Sequence, residues 1–242
     1  MNQPKQLHLD VRIDKSITLD NFISCSSTKL VLEASNDFVS NNNFTLKTLY
    51  LWGKDGVGKN YLLHAMNKKC RENKLRSIFL SFSSTALKDM SIFEGLEGLD
   101  VIFIESLEKY PKDEEWEIAL FNLINNCLTT GSRVLFSSNQ VAKDLNIELP
   151  DLKSRLLAIP AFELPELTEK EKISALKESA QRKGLIFEER VLTYILNHTS
   201  RNLSDLLKLM FDLDSFSLEK KRKISISLVR DLLVNKEDNP ST

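Results

Sequence analysis

The stretch Gly53-Lys54-Asp55-Gly56-Val57-Gly58-Lys59-Asn60 constrains this chain more than any other feature. It follows the apolar run Leu49-Tyr50-Leu51-Trp52 and precedes a helical pattern running from Tyr61 to Asn73. A strand, a glycine-rich loop, a lysine and a helix in this order are the context that a phosphate-cradling P-loop requires. The glycines let the backbone wrap so that successive N–H groups point inward. The helix that follows adds the positive end of its dipole. Lys59 brings a point charge for the β and γ phosphates. The residues expected to line such a site are Gly53, Asp55, Gly56, Val57, Gly58, Lys59, Asn60 and Tyr61. Asn60 departs from the pattern, because it stands where a Ser or Thr hydroxyl would face Mg²⁺. Its amide oxygen can still ligate a hard cation, with a different reach.

The rest of the chain frames that loop as an α/β protein. Ser77–Ser81, Val101–Ile104, Val134–Phe136 and Ala161–Leu164 read as further strands. The run 101–104 is continuously apolar, as expected of a strand buried on both faces. Between strands, Trp116 to Leu128 places Trp116, Ala119, Leu120, Leu123, Ile124 and Cys127 at the spacing of one helix face. Part of Leu19 to Ser35 reads as helix and Asn36 to Asn43 as a polar loop. Alternating strands and helices predict a parallel five-stranded sheet covered on both sides. After Pro165 only helical patterns remain: one opened by the capping box Thr168–Glu171 and ending before Gly184, then Glu188–Asn197, Asn202–Ser217 and Leu228–Val234. The expected division is a tail over 1–22, a nucleotide-binding α/β core over 23–165 and a helical lid domain over 166–242.

Bulk properties narrow the partners. The formal net charge is −1, so no global positive field draws the chain to DNA or to a membrane. No apolar run approaches the ~18 residues of a membrane span, and the N-terminus carries no signal-like apolar segment. Cys25, Cys70 and Cys127 are far apart and odd in number, which points to reduced thiols and a cytoplasmic setting. His8, His64 and His198 are isolated and lack ligand spacing. The run Lys220-Lys221-Arg222-Lys223 reads as a solvated turn more than a DNA contact.

A second acidic element is expected at the end of the third strand. Glu105 occupies the position where an Asp would hold Mg²⁺ or its water, and Ser106 stands where a second carboxylate would orient the attacking water. Both departures predict a site that holds a nucleotide better than it cleaves one.

With these residues in place, the chain resembles the DnaA-related branch of the AAA+ P-loop family, and within it the regulatory inactivators of the initiator. The resemblance runs from about Gln6 to the C-terminus. It rests on Tyr50-Leu51-Trp52-Gly53, Tyr61-Leu62-Leu63-His64-Ala65, Asp113-Glu114-Glu115-Trp116-Glu117 and Leu149-Pro150-Asp151-Leu152-Lys153-Ser154-Arg155-Leu156. A full initiator would continue beyond the lid into a DNA-binding domain, and the chain ends soon after the lid. The resemblance implies ADP or ATP as cofactor, with Mg²⁺ through Asn60 and Glu105. It implies Arg155 as an arginine finger offered in trans to a partner's γ-phosphate, and Asn139 as a polar sensor. The family's lid sensor Arg aligns with Ser204, with Arg201 a turn away. The hexapeptide Gln6-Leu7-His8-Leu9-Asp10-Val11 is similar to the family's sliding-clamp motif, with Gln6, Leu7, Leu9 and Val11 as anchors in an apolar groove. The implied partners are the clamp (the β subunit of the DNA polymerase), DnaA, and DNA indirectly through the clamp. A homodimer is left open. Two alternatives stay open at this level: a self-acting ATPase such as a helicase loader, and a clamp-tethered adaptor with a vestigial nucleotide site.

Overall fold

Every residue of the strand Val101–Glu105 is buried, which requires cover on both faces of the sheet. The computed structural model describes residues 17–40, 44–84, 87, 89–182, 184–199 and 202–238. The hexapeptide Gln6–Val11 and Arg201 lie outside them.

Five strands, β1 (Thr48–Trp52), β2 (Ser77–Ser81), β3 (Val101–Glu105), β4 (Arg133–Ser138) and β5 (Ala161–Glu163), form one sheet in the order β2-β3-β4-β1-β5. All four pairings are parallel. Period-two alternation sends the two sets of side chains to opposite faces. Leu49, Leu51, Val101, Phe103 and Leu135 pack on the face covered by helices α1 (Lys29–Phe38) and α2 (Lys59–Glu72). Tyr50, Ile102, Ile104, Val134 and Phe136 pack on the other, under α3 (Glu114–Thr130) and α4 (Pro150–Leu157). Sequence patterning anticipates all five strands and the two-sided cover.

Helix α1 differs from the expected loop at Asn36–Asn43. It continues to Phe38, whose ring is fully buried. Two polar residues that usually compete with helix instead bond back into it: Ser35 Oγ donates to Val31 O at 2.7 Å and Asn36 Nδ2 to Leu32 O at 2.9 Å.

The C-terminal region is a four-helix lid domain: α5 (Glu169–Arg182), α6 (Glu189–His198), α7 (Leu203–Lys220) and α8 (Ile226–Asp238). The expected capping box closes at the start of α5. Thr168 N donates to Glu171 Oε2 at 2.8 Å and Glu171 N donates to Thr168 Oγ1 at 3.2 Å. Gly184 follows the helix at φ 71°, where only glycine is unstrained. Leu176, Leu192, Ile195, Leu206, Leu213 and Leu228 join the apolar cluster of the α1–α2 side, so lid and sheet share one core. No helix among the described residues is long and apolar enough to cross a membrane.

Candidate functional site

Strand β1 lies between β4 and β5, while its crossover helix α2 leads to the far edge strand β2. Such a reversal of strand order opens a crevice at the carboxyl ends of the strands, where ligands of open α/β sheets bind. The glycine-rich loop sits at that point.

Gly53 ends β1 under tight packing. A Cβ there would stand 2.3 Å from the Leu164 carbonyl oxygen. The approach is fixed from both sides, because Gly53 N donates to Ser138 O at 3.3 Å and Leu164 N to Trp52 O at 2.7 Å. Gly56 and Gly58 have φ of 81° and 103°, a left-handed backbone that turns the loop into the first turn of α2. Lys59 follows with only 10% of its side chain exposed. Its Nζ donates to Gly53 O at 2.5 Å and Lys54 O at 2.8 Å, and lies 3.7 Å from Asp55. Burial pulls its pKa down, opposed by the carboxylates of Asp55, Glu108 and Glu105. The ammonium is thus desolvated and held within the loop, with acidic groups facing it.

Val57 is buried, whereas Asp55, Gly56 and Asn60 are exposed. Asn60 occupies the first turn of α2. Tyr61 turns elsewhere: its ring stands 5.7 Å from that of Phe22 and its hydroxyl accepts from Thr18 N at 3.4 Å. It fastens the segment before α1 to α2 rather than facing the loop.

Glu105 is buried at the tip of β3, 6% exposed. Its charge reaches both Lys59 and His64, and His64 stacks on Phe79 at 4.6 Å. Ser106 follows at φ 57°, an uncommon conformation for a residue with a side chain. Its hydroxyl accepts from Ser83 Oγ at 2.9 Å, which in turn accepts from Lys109 Nζ at 3.1 Å. The left-handed turn at Ser106 leads into the 3-10 turn Leu107–Lys109 and swings Glu108 back toward the end of β4. There Glu108 Oε2 accepts from Asn139 N at 3.2 Å. The second carboxylate of the site is therefore Glu108, three residues beyond Glu105. Sequence spacing points to Ser106 for this role; the signal for Glu108 is an acid within one turn of the strand end.

A cavity of about 200 Å³ separates the loop from the lid. Asp55, Gly56 and Val57 line one side, and Glu166, Leu167, Lys172 and Asn202 the other. Lys54 and Glu166 close its edge with a 3.1 Å ion pair. None of the four lid-side residues was foreseen, because they meet the loop only through the tertiary fold. Ser204 lies in the first turn of α7, two residues beyond Asn202. Among the described residues no group of three or more His, Cys, Asp and Glu could cage a metal.

Arg155 stands apart from this loop, on α4. Leu152 and Leu156 bury one side of that helix, while Lys153, Ser154, Arg155 and Leu157 are exposed. The Arg155 guanidinium has no ion pair or hydrogen bond among the described residues. The structure thus separates a phosphate-type cradle from an unpaired arginine on another surface.

Residues 13–159 match the family described as the bacterial DnaA ATPase domain, and residues 169–233 match the family described as the Hda lid domain. A Haemophilus influenzae protein, described only as uncharacterized, is 28% identical over 232 residues, covering 95% of this chain and 98% of that one. Domain III of the Thermotoga maritima replication initiation protein DnaA has a TM-score of 0.71 at 17% identity, covering 92% of this chain and 98% of that one. AMPPCP-bound DnaA from Aquifex aeolicus gives 0.71 at 18% identity, covering 94% and 71%. These structural likenesses speak for the fold.

Proposed function

This chain belongs to the family of the bacterial DnaA ATPase domain and carries a lid of the Hda type, and from that premise we propose that it regulates the initiation of chromosome replication by promoting ATP hydrolysis on a DnaA partner. The observation that carries the reading is the contrast between two sites. Arg155 is exposed on α4 with no ion pair among the described residues, while the chain's own site has Asn60 where a hydroxyl is usual and Ser106 directly after Glu105, its second carboxylate, Glu108, being bound to the Asn139 backbone N–H.

An arginine presented across an interface stabilises the charge that develops on a transferring γ-phosphoryl group. That is the role proposed for Arg155. The chain's own cradle is proposed to hold ADP or ATP. The glycine backbone with φ above 80° at Gly56 and Gly58, the desolvated Lys59 and the lid cavity fit a diphosphate. Backbone N–H groups of Asp55 to Lys59 would face the phosphates, Lys59 would neutralise them, and Lys172 and Asn202 would close over them from the lid. Mg²⁺ would ride on the nucleotide, held by Asn60 or Glu105 and water, since this ion is ordinarily bound by one or two protein groups plus phosphates. Asn139, its backbone tied to Glu108, is the proposed polar sensor. The tail hexapeptide, with Gln6, Leu7, Leu9 and Val11, is proposed to tether the chain to the DNA-loaded sliding clamp and so concentrate it beside DnaA.

The test is hydrolysis of DnaA-bound ATP with clamp and DNA present. The wild-type chain should stimulate it and Arg155→Ala should not, while a clamp pull-down with Gln6→Ala and Leu9→Ala should lose the tether. Full stimulation by Arg155→Ala would refute the mechanism.

A further inference from the structure

The helix that carries Arg155 has no side-chain cap of its own. Leu149 stands at the N-cap position and Pro150 at the first helical position. The loop before it is held instead by α3. Glu117, in the first turns of α3 and only 2% exposed, accepts from Leu149 N at 2.6 Å and from Glu148 N at 3.1 Å. Tyr110, also buried, points its hydroxyl at the same carboxylate at 2.5 Å, with the Asn146 carbonyl at 2.7 Å. Three backbone groups of the segment 146–149 are thereby fixed to two buried side chains. The carboxylate also faces the positive end of α4.

We propose that Glu117, seconded by Tyr110, is the positioning residue that sets the arginine-bearing helix α4. This inference rests on the role given to Arg155 above. An exposed arginine acts on a partner's phosphate only if its helix is held at a fixed angle, and a displacement near 1 Å can cost orders of magnitude in rate. The apolar contacts of Leu152 and Leu156 seat α4 against the core but are not directional. Directional bonds hold its N-terminus. The hydrogen bonds end one residue before Pro150, which has no N–H to give, so the entry into the helix is fixed through Leu149, which Glu117 holds.

The experiment uses the full chain with Glu117→Gln and Tyr110→Phe. Glutamine keeps the volume but turns one acceptor into an amide N–H₂ facing backbone donors. Phenylalanine removes only the Tyr110 hydroxyl. Glu117→Gln should lower stimulation of DnaA-bound ATP hydrolysis about tenfold, and Tyr110→Phe about threefold. Stabilisation by ADP at the chain's own loop should not change. Amide exchange should quicken over 146–157 and stay unaltered over α2 and α5. Glu117→Gln should add nothing to Arg155→Ala, since both act through one group. Wild-type stimulation by folded Glu117→Gln, or unaltered exchange over 146–157, would overturn the proposal. If Glu117→Gln does not fold, Tyr110→Phe carries both readouts. If Arg155→Ala itself retains stimulation, the role of Arg155 fails, and the exchange data still decide whether Glu117 sets α4.

Discussion

Gly53→Ala is the smallest change that should disable the loop. The added Cβ would lie 2.3 Å from Leu164 O and 3.2 Å from Val57 Cγ2, whereas real Cβ contacts essentially never fall below 3.0 Å. The contacting atom of Leu164 is its backbone carbonyl oxygen, which cannot rotate away, so it must retreat by about 0.7 Å, from 2.3 Å to 3.0 Å. Its N–H donates to Trp52 O at 2.7 Å, and that bond stretches with the retreat. Losing it costs about 1 kcal/mol, and the overpacking adds about 2 kcal/mol. A total of about 3 kcal/mol corresponds to a fall in Tm of about 6–12 °C for a chain of this size. Gly95→Ala is the control. Gly95 has φ 78° but open space around it, so only the left-handed backbone is penalised, at about 1–2 kcal/mol. Thermal and urea unfolding of both variants give the comparison. Leu164 also leads from β5 into the lid, so Gly53→Ala should lose stabilisation by ADP as well. If Gly53→Ala costs no more than Gly95→Ala, the close approach of Leu164 does not constrain this loop.

Three further outcomes are expected. ADP at 100 times its dissociation constant should stabilise the wild-type chain by about 2.7 kcal/mol, and Lys59→Ala should remove most of that shift in a thermal melt. His64 is held below its ordinary pKa by burial, against the pull of Glu105 and with the push of Arg71; the unfolded chain therefore binds more protons, and stability should fall as pH drops below about 6.5. Urea unfolding at pH 7.5 and pH 5 should show this slope, and His64→Gln should reduce it. Arg133, buried in β4, donates to Phe38 O at 2.7 Å and Ser40 O at 2.8 Å and stacks over Phe44 at 4.2 Å; Arg133→Met should cost about 3 kcal/mol by leaving those carbonyls unpaired, as measured by urea unfolding.

The parts of the fold that were legible in the sequence are those set by local pattern. The run Val101–Ile104 reads as a two-sided strand because no polar residue interrupts it, and the capping box at Thr168 and Glu171 reads directly from its spacing. The end of α1 was not legible, because Ser35 and Asn36 can serve a loop or bond back to their own helix, and only the burial of Phe38 decides. At the candidate site, the loop from Gly53 to Lys59 and the exposed arginine on α4 were both visible. Glu108 was not, since a left-handed Ser106 and a 3-10 turn redirect it onto Asn139, 31 residues away. Lys172, Asn202 and the Glu117 clasp on α4 arise from long-range packing that spacing does not encode. Tyr61 shows the converse: adjacency to the loop suggested a ligand contact, and the side chain instead packs on Phe22.

Arg155 is proposed to act on a partner's nucleotide while the chain's own nucleotide is kept. A single-turnover experiment separates the two sites: labelled ATP is loaded either on DnaA or on this chain, with clamp and DNA present in both. Phosphate release should be rapid when the label is on DnaA, abolished by Arg155→Ala, and slight when the label is on this chain. Rapid release from this chain's own ATP, insensitive to Arg155→Ala and lost with Lys59→Ala, would instead establish a self-acting ATPase.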